Sequence, residues 1–189
     1  MANNMKVKLA EQIIDQTDIN QLIEWIKSTD KFTKGEQTLL FEEEWSNWLG
    51  CKYSVFVNSG SSANFLMFLA LLYSDKLKNK KVIVPAVSWV TTVSPAIQLG
   101  YEPIVCDCDE DDLGLSIKHF EELCQKHNPS AVIAVHVLGH AGKLNKIKEI
   151  CSKYDVILLE DSCEAPGSEY GYQKLGTFGL ASSFSFFYG

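Results

Sequence analysis

From residue 53 onward, short apolar runs alternate with segments of helical spacing, and this alternation constrains the fold more than any other feature of the chain. The runs fall at 53–57, 82–84, 103–106, 131–135, 156–159 and 182–186, and the helical segments between them at 63–73, 88–99, 116–126 and 144–154. Strands that are apolar on both faces and alternate with helices imply an α/β fold, with a mostly parallel sheet and helices on both faces. Ser116 stands where an N-cap is expected. Ahead of the alternation, a helix is expected at 18–28, then a loop at 31–35, then a second helix carrying Phe41, Trp45, Trp48 and Leu49 with Gly50 as its stop. Residues 1–17 read as a polar segment, and 18–189 as one domain. The last strand is followed by no helix, so the fold reads as C-terminally incomplete.

Charge and composition narrow the function classes. The net charge of −7 argues against a nucleic-acid partner. No apolar run approaches the ~20 residues of a membrane span; residues 65–73 form the longest, and they read as a buried helix. All 17 basic residues are Lys, so the chain has no guanidinium fork for a carboxylate or phosphate. The six cysteines contain no CxxC pair, which favours reduced thiols in a cytoplasmic protein.

In open α/β sheets ligands gather beyond the carboxyl ends of the strands. The first run is followed by Asn58-Ser59-Gly60-Ser61-Ser62-Ala63, opening a helix. A glycine turn, two hydroxyls and a helix N-terminus make a phosphate cradle, or equally a capped turn. The second run leads to Trp89, whose indole suits a flat aromatic ligand or the core. After 156–159 come Glu160 and Asp161, then Glu164; carboxylates at the end of a buried strand are costly unless partnered. Asp161 suits a protonated ring nitrogen and Glu164 a hydrogen bond near the ring, and a helix cap in a solvated loop is the other reading. His136 and His140 lie four apart with Gly139 between them, which disfavours a helical metal site; Cys106 and Cys108 read as structural thiols.

The ordered series FTKG, VNSGSSAN, VPAVSWVTT, LGYEPIVCDCD, AVIAVHVLGH, LLEDSCEAPGS and GTFGLASSFSF resembles the DegT/StrS family of pyridoxal-phosphate-dependent nucleotide-sugar aminotransferases, from about residue 18 to the end. The resemblance implies a fold-type-I large domain, a homodimer with interfacial active sites, a nucleotide-sugar substrate and an amino-acid amino donor. It also implies pyridoxal 5'-phosphate or pyridoxamine 5'-phosphate as cofactor. Gly60, Ser61 and Ser62 would hold the phosphate, with Ser185, expected within the last strand, as a further ligand. Trp89 would stack on the ring, Asp161 would pair with its nitrogen, and Glu164 would lie near its hydroxyl, where the family often has Gln or His.

The family's anchoring Lys falls five residues after Ser185, at position 190, one past Gly189. No Lys present matches it; Lys174 fits a surface turn. The resemblance therefore implies no catalytic residue within the chain, and a C-terminal small domain that is absent from it. A minority branch carries His at the anchor and dehydrates keto-deoxy sugars, and Phe186-Phe187-Tyr188-Gly189 is similar to that branch's lead-in. A non-catalytic truncated product, surviving as a binding or dimerising module, is the third reading.

Overall fold

The computed structural model describes residues 14–186. The first helix, α1 (Gln16–Ser28), starts two residues before the expected position. Asp15 caps it by accepting the N–H groups of Thr17 and Asp18, and Asp18 answers through the Asp15 N–H, closing a capping box. The second, α2 (Glu36–Leu49), ends on Gly50 at φ 84°, the left-handed stop its glycine permits.

The remaining elements are α3 (Gly60–Leu72), β1 (Lys81–Pro85), α4 (Val90–Gln98), β2 (Glu102–Cys106), α5 (Ile117–His127), β3 (Ala131–Val135), α6 (Leu144–Tyr154) and β4 (Ile157–Asp161), then the pair β5 (Glu169–Tyr170) and β6 (Gln173–Lys174), and β7 (Ala181–Ser183). β5 and β6 form a hairpin around Gly171 and Tyr172, which places Lys174 on a surface strand beside the turn expected there.

Five strands form one parallel sheet in the order β2-β1-β3-β4-β7. The two-residue period of a strand sends alternate side chains to opposite faces. Val82, Val84, Ala131, Ile133 and Leu159 meet Met67, Phe68 and Leu71 of α3 and Ala96 of α4 on one face. Ile83, Val132, Ala134 and Leu158 meet Phe120 and Leu123 of α5 and Leu144 and Ile147 of α6 on the other. Both faces are covered, as the doubly apolar runs require.

Two local expectations are corrected, and a third holds in position only. Residues 53–57 join no strand among the described residues: Tyr53 and Val55 are exposed, and the segment is tied to α2 by the Phe56 N–H donating to Glu42 Oε1 at 2.9 Å. An apolar run reports strand propensity, but a strand also needs a ladder partner, and this one has none there. The last strand ends at Ser183 rather than reaching 186, because the chain leaves the sheet for α2: Phe184 packs edge-on against Trp45 and Phe186 against Phe41 and Trp45. Ser185 therefore lies beyond β7, not inside it, and residues 187–189 are outside the described ones. Ser116 occupies the cap position of α5, but its side chain makes no capping hydrogen bond.

Candidate cofactor-binding site

Asp161 closes β4 with its side chain on the α3/α4 face, and only 3% of its surface is exposed. A carboxylate at such a place needs donors. Asn64 of α3 donates from Nδ2 to Oδ2 at 2.8 Å, and Thr92 of α4 donates from Oγ1 to the same oxygen at 2.6 Å. The Cys163 backbone N–H donates to Oδ1 at 3.2 Å. Ser183 of β7 donates its hydroxyl to Asn64 Oδ1 at 2.7 Å. Asn64, Thr92 and Ser183 are buried, so four elements meet around one carboxylate.

Above this floor lies a cleft of about 1750 Å³ whose lining includes Gly60, Ser61, Trp89, Asp161, Glu164 and Ser185. The N-terminus of α3 opens onto it. Ser59 caps that helix by accepting the Ser62 N–H at 3.1 Å, and the Ser61 hydroxyl reaches Thr91 Oγ1 at 3.2 Å. The first N–H groups of a helix lack intrahelical partners and carry partial positive charge, so this end attracts an anion. Gly60 is the point of closest approach: a Cβ there would stand 2.8 Å from Cys163 Sγ and 2.9 Å from Ser185 Cβ. The missing side chain thus lets the cradle helix meet the segment after β7.

Six of the seven candidate residues line this cleft, and Ser62 does not. Its hydroxyl lies 3.2 Å from Ser59 Oγ, and with Ser61 it borders a smaller pocket of about 460 Å³. Trp89 is no core residue: it is 69% exposed, at the entrance to α4. Glu164 accepts the Leu138 N–H at 2.7 Å. Burial first, and Asp161 second, push the Cys163 thiol up, so it stays protonated and is no nucleophile near neutral pH.

Glu160 turns to the opposite face of the sheet, as its odd spacing from Asp161 dictates. It is fully buried, and each oxygen takes two donors. Oε1 accepts the N–H groups of Phe178 and Gly179, both at 2.7 Å; Oε2 lies 2.9 Å from His136 Nε2 and accepts the Gly176 N–H at 2.9 Å. Burial would raise this carboxyl, but the His136 ring and the backbone N–H groups hold it below the usual carboxylate range. His136 is thus engaged with a carboxylate while His140 is exposed, and the described residues contain no cluster able to hold a metal ion.

Sequence reasoning missed Asn64, Thr92 and Ser183. The signal for Asn64 was present: it is the one amide in a helix that is otherwise apolar beyond its first turn. Together the residues offer an anion-binding helix end, a flat exposed indole and a sealed carboxylate. That set fits a flat heteroaromatic ring that bears a phosphate at one end and a nitrogen able to hydrogen-bond at the other.

Residues 13–189 match the DegT/DnrJ/EryC1/StrS aminotransferase family. The GDP-4-keto-6-deoxy-D-mannose 3-dehydratase of Yersinia pseudotuberculosis is 36% identical over 95% of this chain and 46% of its own length. The solved Escherichia coli GDP-4-keto-6-deoxy-D-mannose-3-dehydratase with bound hydrated PLP superposes with a TM-score of 0.85 at 36% identity, over 95% of this chain and 46% of that one. Helicobacter pylori PseC, an aminotransferase involved in pseudoaminic acid biosynthesis, gives 0.86 at 28% identity, over 96% and 48%. The chain therefore spans about half the length of the relatives it matches, and their solved structures share its fold. No described helix is long and apolar enough to cross a membrane.

Proposed function

The chain belongs to the DegT/DnrJ/EryC1/StrS aminotransferase family, and on that premise we propose that it supplies the cofactor-holding part of a pyridoxal-phosphate-dependent enzyme that transfers an amino group from an amino acid to a nucleotide-linked keto-deoxy sugar. The observation that carries the reading is the sealed Asp161 carboxylate at the floor of a cleft whose rim bears the open N-terminus of α3. When bound, the cofactor supplies an electron sink for bond breaking next to nitrogen. The chain's own residues hold it. The α3 N-terminus, Ser61 and Ser185 take the phosphate, and Ser62, whose N–H is donated to the capping hydroxyl of Ser59, shapes that helix end. Gly60 leaves room for Ser185 to stand beside that helix end. Trp89 offers the ring a stacking face, and Asp161 faces the ring nitrogen and keeps a proton there. Glu164 hydrogen-bonds near the ring hydroxyl. The working enzyme is a cytoplasmic homodimer in this reading.

A second reading, loss of the C3 hydroxyl from the same kind of sugar with the cofactor in its pyridoxamine form, has sequence support: identity is 36% to the solved Escherichia coli dehydratase and 28% to Helicobacter pylori PseC. One experiment separates the two. The full-length gene product is incubated with pyridoxal phosphate, glutamate and GDP-4-keto-6-deoxymannose, and the sugar is followed by mass spectrometry and NMR. An amino sugar supports the first reading and a 3-deoxy sugar the second. Absence of cofactor binding would overturn both.

A further inference from the structure

We infer that Asn64 is a positioning residue: it fixes the distance between the carboxylate that meets one end of the cofactor and the cradle that holds the other. The inference rests on the cofactor reading above and deepens it. Asn64 sits one helical turn inside α3, the helix whose N-terminus forms the cradle, and it is 1% exposed. Its two amide atoms do different work. A carboxylate without a proton only accepts, so the atom facing Asp161 Oδ2 at 2.8 Å must be the Nδ2 donor. The carbonyl oxygen then faces Ser183 and accepts its hydroxyl proton at 2.7 Å. Ser183 has one proton, and its oxygen lies 3.4 Å from Asp161 Oδ1, so the proton goes to Asn64. One side chain therefore ties three elements together: α3 with the phosphate cradle, β4 with Asp161, and β7, two residues before Ser185.

The consequence is specific to ligands that touch both ends. A molecule that spans two subsites gains from each only while their separation stays matched to its own length, whereas a ligand of one subsite is indifferent to that separation. Thr92 also holds Asp161 Oδ2, but from α4, which bears no cradle. Asn64 alone among the Asp161 donors stands on the cradle helix.

The test uses the full-length gene product and three probes: pyridoxamine 5'-phosphate, inorganic phosphate and dephosphorylated pyridoxamine, with binding read by cofactor fluorescence or by competition. Asn64→Ala leaves a polar space that water can enter, and Ser183→Ala removes only the β7 link. Asn64→Ala is expected to weaken pyridoxamine 5'-phosphate by about tenfold and to lower the ring-protonated fraction of the bound cofactor in its absorbance, while inorganic phosphate changes by less than about twofold. Ser183→Ala should weaken pyridoxamine 5'-phosphate by about threefold with an unchanged spectrum. If Asn64→Ala binds all three probes as the parent does, or loses phosphate as severely as the two-ended ligand, the positioning role is refuted. A parent protein that binds pyridoxamine 5'-phosphate no better than phosphate refutes the cofactor reading and this inference together.

Discussion

Replacing Glu160 by Gln removes one charge from the far side of the sheet; Glu160 does not itself line the cleft, but Gly176 and Gly179, which it holds, do. Glu160 holds four donors, two per oxygen, and three of them are backbone N–H groups of the loop that leads into β7. A Gln retains one accepting oxygen, which best serves Phe178 and Gly179 at their 2.7 Å contacts. Its amide then faces His136, which can accept through its other tautomer, and the Gly176 N–H, which cannot accept at all. Two buried N–H groups, that of Gly176 and the second of the Gln amide, are left facing each other, at about 1–3 kcal/mol apiece, and two bonds lose their charge assistance, so the expected loss is at least about 3 kcal/mol. That is about a hundredfold in local opening at 1.4 kcal/mol per factor of ten. Native-state amide exchange of the full-length protein reads it directly, as a hundredfold fall in protection at Gly176, Phe178 and Gly179, with equilibrium denaturation as the global measure. The carboxyl lies below its ordinary value of 4.5 in the fold, so the folded state binds fewer protons than the unfolded chain just below that pH. Its stabilisation is complete above about pH 4.5 and fades as pH falls through the lowered folded value, so parent and Gln variant should converge in acid. A Gln variant within about 1 kcal/mol of the parent at pH 7, with the three amides still protected, would show that the four contacts do not hold the loop.

Three further outcomes are expected. Gly60→Ala should cost more than about 1 kcal/mol and weaken phosphate binding, since its Cβ would collide with Cys163 Sγ and Ser185 at 2.8 and 2.9 Å; unchanged phosphate affinity would place the anion elsewhere. A thiol reagent at pH 8 should leave Cys106, Cys124 and Cys151 unmodified in the native protein, because burial excludes the reagent and pushes each thiol up to about 12; adducts on them before denaturant is added would contradict the packing. The isolated 189-residue chain should sediment as oligomers, since Tyr53, Val55, Phe56 and Phe186 present exposed apolar surface; a clean monomer with a sharp two-state melt would favour a self-contained binding module.

The sequence disclosed those parts of the fold whose signals are local. α6 occupies 144–154 as its apolar spacing predicts, and β3 occupies 131–135, because a doubly apolar run between helices has few other uses. Residues 53–57 carry the same kind of signal yet join no ladder, since pairing depends on what lies alongside rather than on the run itself. Trp89 and Asp161 were legible from their places after β1 and at the end of β4, and Ser61 from the helix that opens at Gly60, although the run before it forms no strand among the described residues. Asn64 and Thr92 escaped because a polar residue inside a helix reads as a minor blemish until the fold brings a buried carboxylate against it. The pairing of His136 with Glu160 escaped for the same reason: the two stand 24 residues apart.

Neighbouring positions 160 and 161 give β4 a parity. A shift of one residue along this strand would either set Glu160 beneath the cleft and Leu159 among the loop amides, or set Asp161 among those amides and Ser162 beneath the cleft. Either shift would fail twice, once in the loop and once at Asn64 and Thr92. A single inserted or deleted residue in β4 is therefore barred from two directions, whereas a change of side chain at 157 or 158 disturbs only one packed face. The strand acts as a ruler with marks on both edges: variation that lengthens the chain here must come in the loops, such as the exposed turn at Gly171 and Tyr172, where no parity is kept.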